Sequence, residues 1–195
     1  GVGCCAMLDM WRYTGDRKYY DYVAEWADTL INDKGEIYLY EMADYNLDFI
    51  NSGKVLFDIY AETGDPKYKK AMDVLVRQLA RQPRTHEGAF WHKLIYPFQV
   101  WLDGLYMASP FLARYGATFD RPDLIDDAVK QFLICARRTF DNRTGLYSHA
   151  YDESRNQRWS DPTTGHSPNF WGRSMGWWFM ALVDVLAYIP EDHPR

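Results

Sequence analysis

The 195-residue chain is poor in cysteine, with only Cys4, Cys5 and Cys135, and it has no CxxC or HxxxH spacing. An adjacent pair plus one distant thiol makes neither a disulfide framework nor a zinc motif, so a reducing compartment is expected. No apolar run reaches the roughly 18 residues that a membrane-spanning helix needs. Neither charge sign dominates: 22 Lys and Arg stand against 27 Asp and Glu, giving a net charge of −5 with the signs interspersed. Such a balance argues against a nucleic-acid surface and describes an ordinary solvated exterior. Thirteen glycines and nine prolines are too few for a fibre, and 47% hydrophobic content is too high for disorder. Phosphate-cradling glycine loops, the GxSxG elbow and metal motifs are missing as well. The opening GVGCCAML has no basic stretch ahead of an apolar one, and no secretory leader is expected in it. What the chain does have is rings: eight Trp, 15 Tyr and ten Phe.

A repeat organises them. Four apolar segments begin at Gly1 (GVGCCAMLDMWRYTGD), Asn51 (NSGKVLFDIYAETGD), Asp103 (DGLYMASPFLARYG) and Arg173 (RSMGWWFMALVDVLAYIP). Each carries an early glycine, and the first three end in a glycine break at Gly15, Gly64 or Gly116. Being apolar on most sides, they read as buried inner helices, with Met42, Met107, Met175 and Met180 as core filling. An amphipathic segment follows each of the first three breaks. Its core face is Tyr20, Val23, Ala27 and Leu30, then Tyr68, Met72, Leu75 and Leu79, then Leu124, Ala128, Phe132 and Cys135. Asp16 and Asp65 suit N-caps, and Pro66 and Pro122 suit first-turn positions. The final PEDHPR reads as the start of a fourth outer helix.

Inner and outer helices therefore alternate with a period of roughly 50 to 70 residues, too long for tetratricopeptide or ankyrin arrays. The extra length lies in connections rich in Trp, Tyr, His and Asp, where a passive linker would use small polar residues. These connections all lead into inner-helix N-termini, which places a functional site at one end of the array.

Asp48 and Asp103 occupy corresponding starts of inner segments. Each suits a first-turn acid that complements the helix dipole. The sharper reading is a proton donor and its partner, the donor's pKa raised by the second carboxylate and by the aromatic walls Trp101 and Tyr106. His92 and His149 fall in the long connections, while His86, His166 and His193 read as structural. Arg173 follows Trp171 by two residues and precedes Trp177 by four, a spacing that shares a helical face. A guanidinium beside aromatic planes can hold a carboxylate while sugar faces stack on the rings.

WHKLIYPFQVWLDGLYMASPF, GLYSHAYDES and SPNFWGRSMGWWFMALVDVL together resemble the unsaturated rhamnogalacturonyl hydrolases, glycoside hydrolase family 105. The resemblance runs over essentially the whole chain. It implies an all-α fold, an (α/α)6 barrel or six-hairpin toroid, of which residues 1–195 would form a single partial domain covering roughly the N-terminal half. It also implies removal of a Δ4,5-unsaturated galacturonyl residue from pectin-derived disaccharides. In that chemistry an Asp protonates C4 of the vinyl ether, water adds at C5, and the hemiketal opens. By motif match Asp103 is the general acid and base. Asp48, His92, Lys93, Tyr96, His149, Trp171, Arg173 and Trp177 match substrate-binding positions. No metal and no cofactor are implied. The only partner implied is a small carbohydrate, with no nucleic acid and no membrane, in the cytoplasm. Two alternatives stand beside this reading: an unsaturated glucuronyl hydrolase acting on glycosaminoglycan fragments, and a non-catalytic carbohydrate-binding helical scaffold.

Overall fold

The computed structural model describes residues 1–194 and is mainly helical. It packs as two compact units, Gly1–Ala43 with Asp48–Arg81, and Asp44–Leu47 with the residues from Gln82 onward.

In the first unit, α1 (Val2–Thr14) is followed by α2 (Lys18–Leu30), and α4 (Leu56–Thr63) by α5 (Pro66–Arg81). The reversals are built alike. Gly15 at φ 72° and Gly64 at φ 66° end α1 and α4 in the left-handed region. Glycine enters that region without the Cβ penalty that other residues meet. Asp16 Oδ1 then accepts the Lys18 N–H at 3.1 Å, and Asp65 Oδ1 the Lys67 N–H at 2.9 Å, so both predicted aspartates cap the next helix. The expected core faces of α2 and α5 are buried at Tyr20, Val23, Ala27, Tyr68, Met72, Leu75 and Leu79, while Leu30, expected with them, is half-buried.

The second apolar segment is not one helix. It divides into α3 (Leu47–Ser52), a 3-10 turn at Gly53–Val55, and α4. Glycine is a weak helix former, and the Leu56 N–H closes an i to i+3 bond on the Gly53 carbonyl. The turn is buried, which a sequence window averages away.

The second unit centres on α6 (Leu102–Thr118), buried along most of its length as an inner helix should be. α7 (Pro122–Thr139) and α8 (Gly172–Leu186) pack against it. Gly116 permits the tight α6–α7 reversal: a Cβ there would lie 2.7 Å from both the Arg121 carbonyl and Ile125 Cγ1.

Burial departs from expectation at α1 and α8. α1 buries only Leu8, and α8 only Ser174, Trp178, Ala181 and Val185. Apolar composition predicted burial on most sides, but α1 is covered chiefly by α2 and the 3-10 turn, and α8 chiefly by α6. The methionines are not core either: Met42, Met107 and Met175 are half-buried and Met180 is exposed. After α8 the chain turns at Glu191 and Asp192 without starting a helix, and Arg195 lies outside the described residues.

A short reversal follows each outer helix. Ile31 bridges Ile37, Arg84 bridges Phe90, and β2 (Phe140–Asp141) pairs with β3 (Leu146–Tyr147). A left-handed glycine turns each one: Gly35, Gly88 or Gly145. These are the starts of the ring-rich connections. Among the described residues no helix is long and apolar enough to cross a membrane.

Candidate active site

The site is assembled by two short strands. β1 (Gln99–Trp101) runs directly into α6, and β4 (Ala150–Asp152) pairs with it antiparallel, Trp101 opposite Ala150. The Leu102 N–H donates to the His149 carbonyl at 3.1 Å, and the His149 N–H donates to the Asn169 carbonyl at 3.0 Å. His149 is thus fixed on both sides at the mouth of α6, where Asp103 lies in the first turn. His149 Nε2 and Asp103 Oδ2 are 3.2 Å apart. Both atoms are buried and their approach is off hydrogen-bond alignment, so neither has a hydrogen-bond partner. Polar atoms held this way are ready for a ligand.

Aromatic rings enclose the pair. The edge of His149 meets Trp101 on one side, with centroids 5.3 Å apart, and Trp171 on the other at 5.0 Å. His92 and Tyr96 lie parallel to the Trp101 plane within 5°, with centroids at 4.9 and 5.1 Å. His92 is buried, and its N–H donates to the Gln99 carbonyl at 2.9 Å. Phe98 at φ 63° closes the turn that carries Lys93 and Tyr96 back to β1, with the Lys93 ammonium 5.8 Å from the Tyr96 ring centroid. The Arg173 guanidinium lies 3.8 Å from the Trp171 ring centroid and is itself exposed. The expected Arg173–Trp177 face is therefore not the pairing made, since Trp177 packs on Tyr106 at 4.7 Å. Trp171 lies in extended backbone just ahead of α8, where its ring reaches back over the helix start.

The predicted residues Asp103, His92, Lys93, Tyr96, His149, Trp171, Arg173 and Trp177 all belong to the second unit. Asp48 occupies the first turn of α3 in the first unit, half-buried. Two residues of consequence escaped sequence reasoning. Asp152 is completely buried. Its carboxylate accepts from the Ser154 N–H and Oγ at 3.0 and 2.7 Å, the Gln157 N–H at 2.8 Å and the Ser160 hydroxyl at 3.2 Å. It organises the loop between His149 and Trp171, and its signal was the Asp-x-Ser string, a side-chain-to-backbone turn motif. Gln99, also buried, accepts the Trp101 indole N–H at 3.1 Å and sets that ring.

The first unit holds an apolar cleft of about 210 Å³ bordered by Trp26, Tyr38, Tyr40 and Phe49. Its lining is mostly hydrocarbon and aromatic, without the acid and imidazole that mark the second unit.

Residues 1–195 match the family model described as Glycosyl Hydrolase Family 88. The unsaturated rhamnogalacturonyl hydrolase YesR of Bacillus subtilis (strain 168) is 26% identical over 200 residues, covering 100% of this chain and 54% of its own. A 24.9 kDa protein in the picA locus of Rhizobium radiobacter is 52% identical over 86 residues, which is 44% of this chain and 36% of that one. A solved glycoside hydrolase of family 105 from C. acetobutylicum ATCC 824 matches with TM-score 0.96 and 44% identity, covering 99% of this chain and 54% of its own. The chain spans about half the length of the two relatives it matches end to end. The solved neighbours are (α/α)6 toroids, and the all-α fold class that the family resemblance implied is the one found.

Proposed function

Because the chain belongs to Glycosyl Hydrolase Family 88, we propose that it supplies the acid-bearing part of an unsaturated uronyl hydrolase acting on pectin-derived rhamnogalacturonan disaccharides. The observation that carries this reading is the half-buried Asp103–His149 pair, its facing atoms 3.2 Å apart and closed off from solvent, flanked by Trp101 and Trp171, with Arg173 stacked on the latter.

The chemistry needs one acid rather than two at a fixed separation. Asp103 delivers a proton to C4 of the C4=C5 vinyl ether, leaving positive charge shared by C5 and the ring oxygen. The resulting carboxylate takes a proton from water as its oxygen bonds to C5. The hemiketal then opens by cleavage of its C5–ring-oxygen bond to a C5 ketone, which leaves a hemiacetal at C1, and collapse of that hemiacetal to the aldehyde releases the second sugar as an alcohol. His149 contacts Asp103 and orients it. The Arg173 guanidinium pairs with the uronate carboxylate, as its planar fork suits. Trp101, Trp171 and Tyr96 present faces for sugar C–H groups. Asp48, His92, Lys93 and Trp177 are read as further substrate contacts. The three free thiols, Cys4, Cys5 and Cys135, suit a reducing compartment such as the cytoplasm.

The test is loss of the ultraviolet absorbance of the conjugated uronate on an unsaturated rhamnogalacturonan disaccharide, with an unsaturated glycosaminoglycan disaccharide alongside. Asp103→Asn should retain substrate binding and lose turnover by at least about 10²-fold, the usual contribution of a positioned proton donor. Unchanged turnover in Asp103→Asn removes Asp103 from the role. Faster loss of the glycosaminoglycan substrate reassigns the sugar class.

A further inference from the structure

Behind the Trp101 wall lies a cavity of about 10 Å³ bordered by His92, Trp101, Gly104, Ser109 and Gln131, among others. We infer that this cavity holds one water molecule, anchored by Ser109 Oγ and Gln131 Oε1 and donated to the His92 ring, so that Ser109 positions the imidazole at the candidate site.

The volume is that of a single water, for which about 10–15 Å³ is required. The walls supply the polarity. Ser109 is completely buried on α6, and its Oγ has no hydrogen-bond partner. A helical serine ordinarily bonds back to the carbonyl one turn earlier; Ser109 does not, so its hydroxyl is left to face the cavity. Keeping such a group dry forfeits the hydrogen bonds it would make in water. Across the cavity, Gln131 uses both amide hydrogens, on the Gly88 carbonyl at 3.1 Å and Asp127 Oδ1 at 3.0 Å. Its Oε1 accepts the Phe90 N–H at 2.8 Å, which leaves that oxygen a second lone pair. The third wall is His92, whose Nδ1 edge is packed against α6: a Cβ on Gly104 would lie 3.0 Å from Nδ1. Glycine at that position lets the α6 backbone come up against the Nδ1 edge.

One water meets all three demands by accepting from Ser109 Oγ and donating to Gln131 Oε1 and His92 Nδ1. Three bonds is the usual number for a buried water. Donation to Nδ1 places the neutral ring's proton on Nε2 and turns that N–H away from α6. Ser109 Oγ makes no hydrogen bond to the Asp103–His149 pair and acts only through the water and the His92 ring, which makes it a positioning residue.

The experiment is a high-resolution crystal structure of the chain, together with thermal melts and ¹⁵N NMR of the histidine rings. The expected density is one isolated peak within hydrogen-bond distance of Ser109 Oγ and Gln131 Oε1. An empty cavity overturns the inference. In Ser109→Ala, Tm should fall by about 2–4 °C, the shift that corresponds to losing roughly one net hydrogen bond. A Tm that rises or stays constant means a dry, unpaired hydroxyl was removed, and also overturns it. The unaltered chain should show neutral His92 as the Nε2–H tautomer, with Ser109→Ala shifting population toward Nδ1–H. An unchanged tautomer in that variant rejects the positioning role. None of these readouts depends on turnover, so the inference stands or falls separately from the proposed activity.

Discussion

At the scale of single residues, side-chain chemistry decides what each position tolerates. Arg173 touches Trp171 through a flat guanidinium, and a lysine ammonium keeps the charge while losing both the stacked plane and the fork. Arg173→Lys is therefore expected to raise KM for the uronate about tenfold with a smaller change in kcat, read from initial rates across substrate concentrations. Cys135 makes the opposite point. Burial pushes its thiol up to about 12, while Thr139 opposes the shift weakly through a hydrogen bond. A group whose folded pKa is raised contributes stability that is fully present below the unfolded value, near 8.5. That contribution is lost as pH rises toward about 12. Denaturant titrations between pH 8 and 11 should show stability falling, with a smaller slope in Cys135→Ala. At neutral pH a thiol reagent should reach Cys4 before Cys135, because the thiolate is the reactive form and Cys135 is fully enclosed.

At the scale of elements, α6 is the part on which the rest is registered. It receives β1 at its start, presents Asp103 in its first turn, and reverses into α7 at Gly116. Gly116→Ala would push a methyl into the Arg121 carbonyl and Ile125, an overpacked contact of the kind that costs about 1–3 kcal/mol. Its denaturant midpoint should fall with the slope unchanged, whereas Gly15→Ala should act only through its left-handed backbone, where a Cβ meets nothing. Helical period and capping residues were legible beforehand in α2, α5 and α7, because an amphipathic helix writes its core face into its own spacing. The break at Gly53 was not legible, since a 3-10 turn uses the same residues as the helix it interrupts. The strands β1 and β4 were equally silent: three residues each, without alternation, they exist because they pair with each other.

At the scale of the whole chain, apolar surface is the open account. α8 exposes Phe179, Met180, Val183 and Leu186, and α1 exposes Val2 and Met10. Exposed hydrocarbon on a helix face drives association. The 195-residue chain should bind a hydrophobic dye and show concentration-dependent mass in sedimentation. Substituting Phe179 and Val183 by serine should reduce both, while stability stays within about 0.5 kcal/mol because neither side chain is in the core. A variant as associative as the parent would assign the behaviour to another surface.

The sequence alone determined the alternation of inner and outer helices, the caps at Asp16 and Asp65, the outer-helix core faces apart from Leu30 and Leu124, which are half-buried, and the identity of the ring-rich connections. Each of these follows from local spacing and from what a side chain can do within a few residues of itself. It also singled out Asp103, His149, Trp171 and Arg173 as residue types with chemistry to spare. Only the tertiary structure decided that His149 stands 3.2 Å from Asp103, that Arg173 stacks on Trp171 and not on Trp177, and that Asp152 ties down the loop between them. It alone showed which apolar helices are covered. Contacts between residues some fifty positions apart depend on strand pairing and helix packing, whose energies come from partners that no local window of sequence contains.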